Sequence, residues 1–167
     1  MTGHAHRSST PVHAALALLT VSDTRTPDDD RSGQVARSLV EQAGHRVADY
    51  RILPDEPEAI SDCVATWLGR EDCDAIVVNG GTGISRRDRT YEVISALLDQ
   101  RLDGFGELFR WLSYEQIGSA AMLSRALGGI ARGKPVFSLP GAPEAVALAL
   151  ERLVLPELGH LLGQLGK

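Results

Sequence analysis

The sequence predicts an α/β protein built on a mostly parallel central sheet, and three observations carry this. Ala14–Val21 and Ala75–Val78 are short aliphatic runs, apolar on both faces, as strands inside a helix-covered sheet are. Stretches of helical apolar period alternate with the strand-like runs, the pattern of β-α-β units. Glycine-bearing loops, Asn79–Gly83 and Pro140–Pro143, follow directly on two of those strands. Open α/β sheets bind their ligands at that end.

The chain has 167 residues, enough for one domain with a substantial core. Its composition is that of a soluble globular protein, 43% apolar and 23% charged. Few aromatics and a net charge of −5 argue against a nucleic-acid surface. No apolar run reaches membrane-spanning length, and no secretory signal core is evident, so the expected location is the cytoplasm. Cys63 and Cys73 have no zinc spacing and are expected as reduced thiols.

Residues 1–13 are polar, carry three of the five histidines, and are expected to be a disordered tail before a single domain over 14–167. Ala14–Val21 is the first strand, followed by Ser22 and Asp23 at its C-terminal end. The run Thr26–Arg31 holds three aspartates and is expected to be a solvated loop. Ser32 is the expected cap of a helix bearing Val35, Ala36, Leu39 and Val40, which Gly44 ends. Arg46–Leu53 alternates as a second strand and delivers Asp55 to the same sheet edge. Ile60, Val64, Trp67 and Leu68 share one face of the next helix. Thr90 is placed to cap a helix carrying Val93, Ile94, Leu97 and Leu98.

Asp103–Gly118 breaks the α/β rhythm with a helical apolar pattern that includes Phe105, Phe109 and Trp111. Part of that surface is a candidate subunit contact, since aromatic clusters favour interfaces. Ala120–Leu127 reads as a short helix with Ser124 and Arg125. Arg125 is either a surface residue or a phosphate clamp, for which its fork is suited. Lys134–Leu139 is the last strand. Pro143 opens a long helix, which Pro156 must kink or split.

Gly80, Gly81, Thr82 and Gly83 let backbone amides approach one anion closely. Pro140, Gly141 and Ala142 offer a second such turn. Asp55 and Asp88 supply hard oxygen ligands on strand-end loops, which suits Mg²⁺ bridging phosphates. Nucleotidyl transfer needs positioning and charge neutralisation, and an anionic phosphate nucleophile needs no strong base. The motif is neither a Walker A loop nor a dinucleotide fingerprint.

In this order, LTVSD (19–23), DRSG (30–33), EQAGHRV (41–47), LPD (53–55), GGTGISRRDRT (80–90), GFGELFRWLSYEQIG (104–118), MLSRALGGI (122–130) and SLPGAPEAV (138–146) resemble the MoaB/Mog family of molybdenum-cofactor biosynthesis. The resemblance spans all but the N-terminal tail, and the long 104–118 piece is closest to the MoaB branch. It implies a three-layer α/β/α fold assembling as a homotrimer or homohexamer. It implies an enzyme, a nucleotidyltransferase that adenylylates molybdopterin with MgATP, giving molybdopterin-AMP and pyrophosphate. Molybdopterin and ATP would be the substrates, Mg²⁺ the cofactor, and other pathway proteins possible partners. The family's two important acids fall on Asp55 and Asp88. Ser22, Asp23, Thr90, Ser124 and Arg125 would line the pterin and nucleotide cleft beside the two glycine loops. Arg86 stands where many members have Pro, and Tyr91 replaces the usual Pro after Thr90. The alternatives on the same fold are a non-catalytic pterin carrier and an oligomeric scaffold.

Overall fold

The computed structural model describes residues 12–166. Four strands run parallel: β1 (Ala15–Val21), β2 (Arg46–Leu53), β3 (Ala75–Asn79) and β6 (Lys134–Leu139). Two antiparallel strands, β5 (Leu127–Ala131) and β4 (Gln100–Arg101), complete one edge, in the order β2-β1-β3-β6-β5-β4. The mostly parallel sheet is as expected.

Helices cover both faces, because alternate side chains of each buried strand point to opposite sides. Leu16, Leu18, Val77 and Phe137 face α1 (Arg31–Gln42), α4 (Asp103–Ile117), α5 (Pro143–Ala149) and α6 (Leu155–Gln164). Ala17, Leu19, Ile76, Val78 and Val136 face α2 (Pro57–Leu68) and α3 (Thr90–Leu97). The result is a three-layer α/β/α sandwich. In the second layer Trp67 is fully buried and donates from Nε1 to Asp49 Oδ2 at 2.9 Å. Burying an indole is favourable only when its N–H finds such a partner.

The register sets the site. Thr20 pairs with both Ile52 and Asn79, and Asn79 pairs with Leu139. The C-terminal ends of all four parallel strands are therefore level, and their loops emerge side by side. Asn79 reinforces this by donating from Nδ2 to Leu19 O and Thr20 Oγ1.

Several local expectations are corrected. The cap of α1 is Asp30, whose Oδ1 accepts from Gly33 N at 3.0 Å, and Ser32 lies inside the first turn. Asp30 is fully buried, so the third aspartate of the acidic run is a structural group and not solvated surface. Arg89, not Thr90, occupies the cap position of α3; Thr90 is the first helical residue and is buried. Ala120–Leu127 is not a helix of its own. A 3₁₀ segment over Gly118–Leu123 leads into β5, which the two glycines at 128 and 129 had concealed. Their bareness is used: a Cβ on Gly128 would stand 2.8 Å from Phe137 and 3.0 Å from Phe105. Glycine disfavours strands in isolation, so packing overrides propensity here.

Pro156 does divide the last helix. A π-helical turn, Leu150–Val154, joins α5 to α6, so the wider turn accommodates the missing amide. Of the expected N-terminal tail, Val12 packs against the core and His13 Nδ1 lies 2.7 Å from Gly44 O; residues 1–11 are outside the described residues. Cys63 and Cys73 are free and buried.

Candidate functional site

The two glycine loops meet back to back. A Cβ on Gly141 would stand 3.3 Å from Gly80 Cα, and Gly80 N donates to Leu139 O at 3.0 Å. Gly80 and Gly81 both hold positive φ, 98° and 65°, a conformation that favours glycine. The turn is closed by Thr90 N donating to Gly81 O at 3.1 Å.

Asp55 enters from the β2 loop. Its own amide donates to Asp23 Oδ1 at 3.1 Å, and its Oδ1 accepts from Arg89 N at 3.3 Å. Its Oδ2 and the Thr90 hydroxyl both converge on the open face of Gly81, the space a Cβ would fill. Thr90 Oγ1 has no hydrogen-bond partner, although the residue is fully buried. Burial pushes the Asp55 carboxyl above its ordinary range, and the nearby charges of Asp88 and Asp23 push the same way, against the bond from Arg89. Asp88 lies at the far end of the loop. Its Oδ2 accepts from Ser85 N at 3.0 Å and would lie 2.7 Å from a Cβ on Gly83.

The remaining predicted residues divide by contact. Ser22 is a turn-maker, its Oγ accepting from the amides of Thr24 and Arg25. Asp23 is held by Arg87, which donates from Nε and Nη2 at 2.9 Å; that bond keeps the Asp23 carboxyl below its usual value. Thr82 is buried in the loop. Of the second turn, Pro140, Gly141 and Ala142, it is Gly141 that lies against Gly80. Ser124 and Arg125 stand on the other flank, where they line a 430 Å³ cavity with Tyr91, Arg101 and Arg110. Arg125 directs its guanidinium at the glycine loop, donating from Nε to Gly83 O at 2.8 Å and from Nη2 to Asp88 O at 2.9 Å.

Residues 17–160 match the family described as a probable molybdopterin binding domain. The chain belongs to that family. Molybdenum cofactor biosynthesis protein B of Bacillus cereus is 50% identical over 157 residues, covering 93% of each chain. The protein of the same name from Halalkalibacterium halodurans is 48% identical over 163 residues, 97% of this chain and 96% of that one. Among solved structures, one of a molybdenum cofactor biosynthesis protein B superposes with a TM-score of 0.92 at 50% identity, covering 94% of this chain and 98% of the other. The tungsten cofactor synthesizing protein MoaB from Pyrococcus furiosus gives 0.84 at 35% identity, covering 95% and 100%.

Within this molybdopterin-binding fold the donor set fits Mg²⁺. Asp55 and Asp88 offer hard carboxylate oxygens, and the unpartnered Thr90 hydroxyl adds a third oxygen beside the Gly81 cradle. Magnesium commonly takes one or two carboxylates and completes its shell with water and substrate phosphates. No cluster of three or more His, Cys, Asp or Glu occurs among the described residues. Arg87 and Glu56 are the site residues that sequence reasoning passed over. Arg87 crosses from the glycine loop to Asp23 and lies 3.0 Å from Glu56, tying three loops together. Its position beside Asp88 was the signal available.

Proposed function

We propose that this protein acts in molybdenum cofactor biosynthesis as a molybdopterin adenylyltransferase. It joins molybdopterin to AMP from ATP and releases pyrophosphate. A phosphate oxygen of molybdopterin attacks the α-phosphorus of ATP, and the bond to the pyrophosphate oxygen breaks. The observation that carries this is the meeting of Asp55 and Asp88 with the bare faces of Gly81 and Gly83. A cradle without side chains, flanked by two carboxylates, suits a metal-bound polyphosphate.

In this reading the amides of Gly80–Gly83 and of the Pro140–Ala142 turn hold phosphates. Asp55, Asp88 and the Thr90 hydroxyl would hold Mg²⁺, which when bound would neutralise charge on the phosphates. Ser22 and Asp23 fix the β1 loop against Asp55, and Ser124 and Arg125 border the pterin and nucleotide cleft. The names of the relatives and the match to the molybdopterin family support the substrate. Its action is placed in the cytoplasm, and among the described residues no helix is long and apolar enough to cross a membrane.

A second feature supports assembly as a homotrimer or homohexamer. Trp111 of α4 is 60% exposed and Met122 78%, and Leu108, Ile117 and Leu123 of α4 and the following 3₁₀ segment are exposed as well. Large apolar surfaces of this kind mark contact sites. Other pathway proteins are the further candidate partners for this face.

Pyrophosphate release by the purified protein with molybdopterin, ATP and Mg²⁺ tests the assignment, with Asp88→Ala as control. Turnover that disappears in the variant is the expected result. Molybdopterin binding without pyrophosphate release would replace the enzyme by a carrier on the same fold. A stable oligomer that binds neither substrate would make it a scaffold.

A further inference from the structure

We infer that Arg125, seated on the ring of Tyr91, is a positioning residue that fixes the Asp88 loop. The Gly83–Asp88 segment runs from the glycine loop after β3 to the start of α3 without helix or strand of its own. Its internal bonds are few: Asp88 N to Ser85 O at 3.1 Å and Ser85 N to Asp88 Oδ2 at 3.0 Å. Both hold Asp88 to its own loop and not to the body of the domain.

Arg87 ties the segment to Asp23 and Glu56 through its side chain, and Arg125 supplies the attachment of its backbone. Arg125 comes from the far side of the cleft, between the 3₁₀ segment and β5, yet contacts both ends of the loop. Nε donates to Gly83 O and Nη2 to Asp88 O, while Nη1 pairs with Glu92 of α3. The planar fork matches two carbonyls at fixed spacing, which an ammonium cannot do. The guanidinium carbon lies 5.0 Å from the centre of the Tyr91 ring, and Arg101 stacks on the same ring at 5.8 Å while donating to Tyr91 Oη at 3.1 Å. Two guanidinium groups thus share one ring, each with its own hydrogen-bond acceptors. Tyr91 is the residue at which this chain departs from the proline of the resemblance. A proline there would offer no hydroxyl and no aromatic face to either arginine. The side chain of Arg125 is also the wall between two cavities, one lined by Asp88 and the other by Ser124 and Tyr91. With Nε, Nη1 and Nη2 all engaged on the protein, its role is to hold the carboxylate in place.

The role toward Mg²⁺ rests on the adenylyl-transfer reading, while the bracing does not, so the test separates them. Hydrogen exchange of the protein alone is compared for the wild type, Arg125→Ala and Arg125→Lys. Exchange at Ser85 and Asp88 should rise about tenfold in Arg125→Ala, with β1 and β3 unchanged, and less in Arg125→Lys. Binding of Mn²⁺, followed by its paramagnetic resonance beside a non-hydrolysable ATP analogue, should weaken about tenfold while analogue affinity holds. Tyr91→Phe keeps the ring and should leave the loop protected, whereas Tyr91→Pro should expose it. Unchanged loop exchange in Arg125→Ala would overturn the inference. So would loss of analogue affinity with Mn²⁺ binding intact, which is the signature of a direct phosphate contact. Loosened exchange in a protein whose wild type releases no pyrophosphate would uphold the brace and defeat only the adenylyl-transfer reading.

Discussion

Asp55 Oδ2 stands 2.5 Å from the point where a Cβ on Gly81 would lie. The bare face of one residue is therefore the working space of the other. Gly81→Ala places a methyl against both Asp55 and the Thr90 hydroxyl, at a φ of 65° that alanine adopts only with strain. Turnover should fall by about a hundredfold or more, as when a preorganised charge-stabilising group is displaced. Stability should drop by about 1–3 kcal/mol from the backbone strain. Steady-state assay and urea unfolding of the same variant check both effects. Normal turnover with only a stability loss would remove the cradle from the site.

Asp55→Asn separates function from stability. Burial raises the Asp55 carboxyl, and Asp88 and Asp23 add to the rise, so its charged form is disfavoured in the fold. A carboxyl whose folded value lies above its unfolded one subtracts stability as pH rises past the unfolded value. The neutral amide retains an acceptor for Arg89 N and avoids that loss. The variant should be inactive yet melt higher than the wild type at pH 7, with the difference shrinking toward pH 4. Such a gain at a functional carboxylate is a stability–activity trade-off. Equal melting at both pH values would contradict it.

The Asp30–Tyr50 pair is expected to contribute to the acid stability of the fold. Tyr50 Oη donates to Asp30 Oδ2 at 2.6 Å across α1 and β2. Burial pushes the Asp30 carboxyl up, but bonds from Thr20, Tyr50, Gly33 N and Ser32 together bring it below its ordinary value. Because the folded value is the lower one, this stability is complete above the unfolded value of about 3.9 and is lost as pH falls through the folded one. Tyr50→Phe should cost about 1.5–3 kcal/mol near neutrality, the range for a bond to a charged group. It should also move acid unfolding to higher pH, as circular dichroism would record. An unmoved acid midpoint would show that other carboxylates govern it.

Trp111→Glu puts a charge on the exposed apolar face of α4, where the indole is 60% exposed in the single chain. If this face joins subunits, sedimentation should find the wild type at three or six times 17.9 kDa and the variant dissociated. Monomer stability should change by less than about 0.5 kcal/mol, as for an ordinary surface site. A monomeric wild type would assign the face to another partner.

The acid pair at 55 and 88, the two glycine loops and the strand-helix alternation were all legible in the sequence. Each is a local pattern: a period, a turn chemistry, or a motif at fixed spacing. The acidic run over residues 26–31 shows the limit of such patterns. Composition makes it surface, yet Asp30 is buried because Tyr50 reaches it from β2 and Arg25 folds back on it from the start of the loop. β5 was hidden for the same kind of reason, since Gly128 serves the approach of Phe105 and Phe137 and Gly129 that of Leu98 and the Gln100 backbone.

By itself the sequence determined the α/β class, the parallel strands and the glycine-bearing turns at their ends, because hydrophobic period and turn residues act within a few positions of the chain. Only the tertiary structure decided how those loops meet. The level ends of β2, β1, β3 and β6 bring Asp55 to Gly81 and set Gly141 against Gly80. Arg125 reaches the Asp88 loop across 37 residues of chain. Such contacts depend on register and packing between distant segments, which no local pattern encodes.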